Sequence, residues 1–312
     1  TAKEAKEEGK FWEYPDVPLL SRSDVSRILD YIIPISTIHS ASEDVVTDVF
    51  SRINSYGHRL SDQERRQAGL VSEFSQFVRD LACEIRGDVS QDTLTLYEMP
   101  EISVDLPKSR YGYAVQADDV FWVRQGILRA TDLRDSRDEE VIADLSACLV
   151  GDKLVERSKT ALDKIYNPTS EESGEYSARV QAHDKTRLSE EIKYCIEVVD
   201  RIIESGESKT LRNLVFQSRT TNPFPTVFSV IFMAIHELSF GQGLVVANAK
   251  GIHDAIWGIQ PRLNTGRDAL SPDERRKNVN MVKGIINDYF VKGDVSKLAY
   301  GAPRDLDIEN TL

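Results

Sequence analysis

The chain has 312 residues, with 39 Lys plus Arg against 51 Asp plus Glu and a formal net charge of −12, which excludes a generally basic coat for nucleic acid. Hydrophobic residues make up 40% and charged ones 29%, the balance of a folded, water-soluble chain, and no apolar run approaches the roughly 18 residues of a membrane span. The length accommodates one large domain or two without help from disulfides or metals, and two is the expectation.

Thr1 to Lys10 is charged and lacks the apolar core of a secretory signal. Phe11, Trp12, Tyr14 and Pro15 follow as an aromatic patch, read as a hydrophobic plug. Ser23 is placed to cap a short helix carrying Val25, Ile28 and Leu29, and Tyr31-Ile-Ile-Pro-Ile-Ser-Thr-Ile38 reads as a strand near a sheet edge. From Ser40 the period changes: Ser40-x-x-Glu43 has capping-box spacing, and Val45, Val46, Val49, Phe50 and Ile53 recur at helical intervals up to Asn54-Ser-Tyr-Gly57. A second box, Ser61-x-x-Glu64, starts another helix through Arg65, Arg66 and Ala68. Together these make an α/β piece.

Beyond residue 70 the pattern is almost wholly helical. Phe74, Phe77, Val78, Leu81, Ala82 and Ile85 follow the i, i+3, i+4, i+7 template, as do Val141 to Leu149, Ile192 to Ile203 and Val279 to Tyr289. Phe224 to Leu238 is apolar nearly throughout and too short to cross a bilayer untilted, which suits a central buried helix. Ser90 to Tyr113 and the polar stretch Asn167 to Lys185 read as loops, and the periodicity fades after Lys292 into a tail. Cys83, Cys148 and Cys195 are dispersed and odd in number, which argues for reduced thiols in a cytosolic compartment, and no Cys/His spacing suits zinc.

The most informative stretch is Phe50-Ser-Arg-Ile-Asn54-Ser-Tyr-Gly57-His-Arg59-Leu60-Ser-Asp-Gln-Glu64-Arg-Arg66-Gln-Ala68. It puts an amide at a helix end, a Gly turn, and then a helix N-terminus whose free N–H groups meet an anion. Arg59, Arg65 and Arg66 add charge-assisted donors suited to a phosphate of a nucleotide or of DNA. The bland alternative is a capped helix-turn-helix with solvated arginines.

Phe-x-x-x-Asn, Gly, Leu-Ser and Glu-x-Arg-x-Ala, preceded by the Tyr-x-Ile-Pro-Ile strand, resemble the ParB/sulfiredoxin-like domain of the GmrSD-type restriction family, the domain-of-unknown-function-262 group, over residues 30 to 69. A looser resemblance runs from Asn222-Pro-Phe-Pro through the apolar helix to Arg276-x-Asn278. The resemblance implies a bacterial anti-phage or type IV restriction system, in which this domain couples nucleotide hydrolysis to DNA recognition or cutting. It places Asn54, Glu64 and Arg66 at catalytic motif positions, and Asn54, Gly57, Arg59 and Arg66 around a GTP or ATP with Mg²⁺. The family's Asp-Gly-Gln-Gln-Arg signature occurs nowhere here; in family order it precedes residue 1, so the expectation is the second half of that domain plus a helical partner, with an incomplete active site.

Other patterns are weaker. His236-Glu237 has Phe240 where HExxH needs His, so a core histidine with satisfied nitrogens is expected. Gly241-Gln-Gly243 reads as a helix-ending loop, and no GxxxxGK[ST] loop exists. Asp118, Asp119, Asp132 and Asp135 read as solvated helix ends, with no metal expected. Arg124, Arg129 and Arg134, beside Phe121 and Trp122, are a weak nucleic-acid candidate diluted by neighbouring aspartates.

The expected architecture is therefore mixed and mostly α: a partial ParB/sulfiredoxin-like α/β portion over 1–70, an all-helical bundle domain over 71–294, and a tail or linker over 295–312. Two functions stay open. One is a nucleotide-dependent, cytoplasmic defence component that senses or cuts DNA, with DNA or a phage component as ligand and a partner protein or second copy beside it. The other is a non-catalytic helical sensor or scaffold subunit of such a complex.

Overall fold

A computed structural model of the chain describes residues 21–32, 60–67, 71–87 and 117–294, with Thr37, Ser42, Val45 and Val49 as single positions. The chain divides into two units, residues 1–59 with 93–99, and residues 60–92 with 100–312. The sequence grouped 1–70 together, whereas Leu60–Gln67 lies in the second unit.

In the first unit, helix α1 (Arg22–Leu29) is capped by Ser21, whose Oγ accepts the Asp24 N–H at 3.2 Å. Ser23, expected as the cap, lies inside the helix, because the hydroxyl two residues earlier reaches the free N–H. Val45 and Val49 are helical. The expected strand beyond Ile32 and the rest of the helix ending at Asn54 lie outside the described residues apart from the single positions named above, as do the Ser90–Tyr113 loop and the tail from 295.

The second unit is mostly α-helical. After α2 (Asp62–Gln67) comes α3 (Glu73–Arg86), which starts on a Ser72/Ser75 capping box and ends at Gly87 with φ 71°, the left-handed conformation that only glycine adopts at no cost. Short helices α4 (Phe121–Arg124) and α5 (Ala130–Arg134) lead into α6 (Arg137–Val150), followed by α7 (Lys159–Tyr166), α8 (Glu171–His183), α9 (Lys185–Glu204) and α10 (Leu211–Val215). Then come α11 (Pro225–His236), β1 (Leu244–Val246), α12 (Ala249–Ile256), α13 (Pro272–Ile286) and β2 (Phe290–Lys292).

Helix α11 is the axis of this unit. Pro225 opens it, every residue from Val227 to Ile235 is buried, and α6, α9 and α13 pack around it. Phe228 stands edge-on to Trp122 and to Phe121, with ring centroids 5.4 and 5.8 Å apart. The amphipathic periodicities of α3, α6, α9 and α13 point their apolar stripes at this core, as the sequence predicts.

Two features differ from the sequence reading. Asn167–Lys185, expected as a loop, contains α8, capped by Ser170 through the Ser173 N–H at 3.1 Å. Its apolar stripe is short: Val180 and half-buried Tyr176 face α3, α6 and α7, and small residues fill the remainder. A polar helix of this kind is held by its neighbours and leaves little hydrophobic period to read. The second difference is an antiparallel pair, β1 with β2, that sets Val245 opposite Val291. Three-residue strands carry too little alternation to be distinguished from loop. Among the described residues, no helix is long and apolar enough to cross a membrane.

Candidate functional site

The second half of the Asn54–Ala68 motif is built into the helical unit. Ser61 Oγ accepts the Glu64 N–H at 3.1 Å and the Ser61 N–H donates to Glu64 Oε2 at 2.6 Å, a reciprocal capping box that satisfies two otherwise orphaned donors. Ser61 Oγ also donates to the Asp135 carbonyl at 2.7 Å, joining the start of α2 to the end of α5. Glu64 thus performs the capping role allowed by its spacing.

Arg66, 9% exposed, turns inward. Its Nε donates to Asp163 Oδ1 at 2.8 Å, Nη1 to Gln63 Oε1 at 3.2 Å and Nη2 to the Lys159 carbonyl at 3.3 Å. Gln63 in turn donates to Tyr166 Oη at 3.0 Å, and burial raises the Tyr166 phenol well above its ordinary range. Asp62 pairs with Lys159 at 2.7 Å and with Arg65; the Lys159 hydrogen bond, opposed by partial burial, keeps its carboxyl below the usual value. Gln67 donates to Glu139 Oε2 at 2.7 Å, and Arg86 donates to the other oxygen of that carboxylate at 3.1 Å. Glu64 and Arg66 therefore lie on one short helix, each engaged by protein groups. Asn54, Gly57 and Arg59 lie outside the described residues.

The arginines near Trp122 are likewise engaged or dispersed. Arg124 donates to Asp200 Oδ2 at 2.8 Å, while Gln125 takes the other oxygen at 2.7 Å. Arg129 donates to the Thr221 carbonyl at 3.2 Å and to Asn222 Oδ1 at 3.1 Å, and its backbone N–H is capped by Asp132 at 2.8 Å. Arg134 is exposed on the last turn of α5. A residue the sequence did not single out, Arg212, completes the clamp on Asn222-Pro-Phe-Pro. It donates to the Thr220 and Asn222 carbonyls at 3.0 and 2.8 Å and to Gly126 O, with its guanidinium 5.0 Å above the Phe224 ring. Burial, and then the charge of Arg129, lower its pKa. These cations hold a loop in place.

Two polar centres were not visible in the sequence. Arg275 meets both oxygens of buried Asp144 at 2.8 Å, with Arg157 on Oδ2 at 3.0 Å and Ser229 Oγ accepting from Arg275 at 3.0 Å. Glu191 Oε2 lies 3.1 Å from His183 Nε2 and 2.9 Å from His236 Nε2, and Arg187 donates to Oε1 at 2.9 Å. Burial pushes Glu191 up, but the hydrogen bonds from His183 and His236 outweigh it and hold the carboxyl well below its usual range. The Arg187/Glu191 spacing of four was the one sequence signal; the histidines come from other helices. Directly after His236 the backbone widens into a π-helical turn, Glu237–Gly241, and Glu237 binds Lys283 at 2.7 Å and Arg276. Asn278, from the Arg276-x-Asn278 motif, both donates to and accepts from the Asn264 backbone, at 2.8 and 3.1 Å.

Among the described residues no group of three or more His, Cys, Asp or Glu is placed to hold a metal ion. In comparisons with known proteins, no family model, no curated protein and no solved structure matches the chain.

Proposed function

We propose that this chain is a component of a bacterial anti-phage, type IV restriction-like system, in which nucleotide hydrolysis is coupled to sensing or cutting of DNA. The reading rests on the Phe50–Ala68 motif, and the contacts of its second half limit which of its residues are left for phosphate chemistry. The Glu-x-Arg half of the motif is a folding device, with Glu64 closing a capping box and Arg66 anchoring α2 on α7.

Phosphate chemistry then falls to the residues ahead of that anchor. Asn54 orients a phosphate or a metal-bound water, and Gly57 and Arg59 supply the turn and the charge for a GTP or ATP with Mg²⁺. Arg66 and Glu64 act by position. The helical unit supplies the sensor surface, with DNA or a phage component, a partner protein or a second copy as its counterpart in the bacterial cytoplasm.

Calorimetric titration of a form that carries the Asp-Gly-Gln-Gln-Arg signature, with Mg²⁺ and GTP and then ATP, tests this reading. Binding that disappears in Asn54→Ala with the fold intact supports it; turnover retained in that variant overturns it. The second reading, a non-catalytic helical scaffold of a defence complex, is favoured by the same Arg66 geometry, because a guanidinium held by Asp163, Gln63 and Lys159 has little left to offer a phosphate. Absence of nucleotide binding in the signature-bearing form selects it.

A further inference from the structure

A cavity of about 550 Å³ opens between α12 and the segment Glu207–Lys209 that precedes α10, within the roughly 300–1,000 Å³ of ordinary ligand sites. Lys250, His253, Asp254 and Trp257 line one side of it. The spacings of three, four and seven put them on one stripe of α12 and its C-terminal residue, while Ile252 and Ile256 face the core.

Trp257 is 61% exposed, yet the backbone beneath it is held. The Gly258 N–H donates to the Leu214 carbonyl at 2.7 Å, and Gly258 has φ +63° with Gln217 packed where a Cβ would stand. A large indole is thus displayed to solvent from a fixed support, whereas Trp122 is wholly buried.

His253 is 4% exposed. Its Nδ1 lies 2.9 Å from Asp254 Oδ1, which also accepts from Lys250 Nζ at 2.6 Å. A carboxylate at Nδ1 fixes the proton there and leaves Nε2 as an acceptor, and Nε2 is buried with no hydrogen-bond partner. That edge of the ring packs against Gly206, where a Cβ would fall 2.2 Å from Nε2, so glycine at 206 makes room for the imidazole and the ring forms part of the cavity wall. Across the cavity stand the carboxylate of Glu207 and the ammonium of Lys209.

We propose that this cavity binds a free mononucleotide. The indole of Trp257 offers a face for base stacking, Glu207 a carboxylate for ribose hydroxyls and Lys209 a cation for a phosphate. A strand of nucleic acid suits it less, since the chain carries −12 and Glu207 and Asp254 border the cavity. The proposal does not depend on the assignment of Asn54.

The test is calorimetric titration of the full chain with AMP, GMP, adenosine and a single-stranded oligonucleotide, repeated on Trp257→Ala, Lys209→Ala and Asn54→Ala. Trp257 and Lys209 make no core contacts, so their variants are expected to fold, which circular dichroism checks. The expected result is saturable AMP or GMP binding, roughly five- to hundredfold weaker in Trp257→Ala. Binding is also weakened in Lys209→Ala for the monophosphates but not for adenosine. No saturable mononucleotide binding, or binding undiminished in Trp257→Ala, overturns the proposal. Binding of the oligonucleotide alone overturns it in favour of a strand. Binding lost in Asn54→Ala but kept in Trp257→Ala moves the nucleotide to the Asn54 turn and leaves only the proposed function standing.

Discussion

Asp138 is fully buried on α6, with Arg86 Nε 3.2 Å from one oxygen and no well-aligned hydrogen bond to either. Burial pushes its carboxyl up to about 6, against the pull of Arg86. A carboxyl raised in the folded state holds its proton there more tightly than in the unfolded chain. Its contribution is therefore fully present below about pH 4 and is lost as pH rises through about 6. Asp138→Asn is expected to be more stable than the parent at pH 7 by about 1–3 kcal/mol and to flatten the stability profile between about pH 4 and 6, read from urea melts across that range. Asp144 presents the opposite case, because Arg275 and Arg157 both depend on it. Asp144→Ala leaves a guanidinium buried without its counter-charge and is expected to cost about 3–5 kcal/mol, whereas Asp144→Leu with Arg275→Met costs much less than the two changes summed. A double-mutant cycle by denaturant unfolding measures that difference.

Helices in this protein are secured less by their own propensity than by the groups at their ends and by their neighbours. Helix α2 has six residues, too few to persist alone, and stands because of its capping box and the Arg66 and Gln63 bonds to α7. Arg66→Ala is expected to raise amide exchange across Leu60–Gln67 with little change in the exchange of α11. An equal rise in both would mean that Arg66 supports the whole unit. Ser61→Ala removes the cap and the tie to Asp135, at a cost of about 0.5–2 kcal/mol. The cap of α2 was legible from its spacing, since Ser61-x-x-Glu64 closes as an N-cap. Helix α8 was not legible, because its stability comes from α3, α6 and α7 and not from an apolar period of its own.

Across the second unit, polar pairs bridge segments far apart in sequence. Glu191 joins α9 to the end of α8 through His183 and to α11 through His236. With its folded pKa depressed, its contribution is present above about pH 4.5 and is lost only as pH falls through the lower folded value, in strongly acidic solution. Glu191→Gln is expected to cost about 1–3 kcal/mol at pH 7. The gap between parent and variant closes only in that acid range, as thermal melts from pH 7 to 2 would record. The overall charge of −12 adds that any contact with DNA has to be local, and Arg124 and Arg129 are already committed to Asp200 and to the Thr221–Asn222 loop.

Local pattern alone determined the helices with strong apolar periods, the buried character of Phe224–Leu238, the capping chemistry of Ser61 and Glu64, and the lack of a membrane-length apolar run. All of these depend on residues within one or two helical turns of each other. Tertiary structure decided which way Arg66 faces, that α8 is a helix, and that β1 finds β2. It also brought His183 and His236 to Glu191, and Trp257 and His253 to the segment after Gly206. Those outcomes depend on groups brought together from tens of residues away, where desolvation and packing, not periodicity, set the energy.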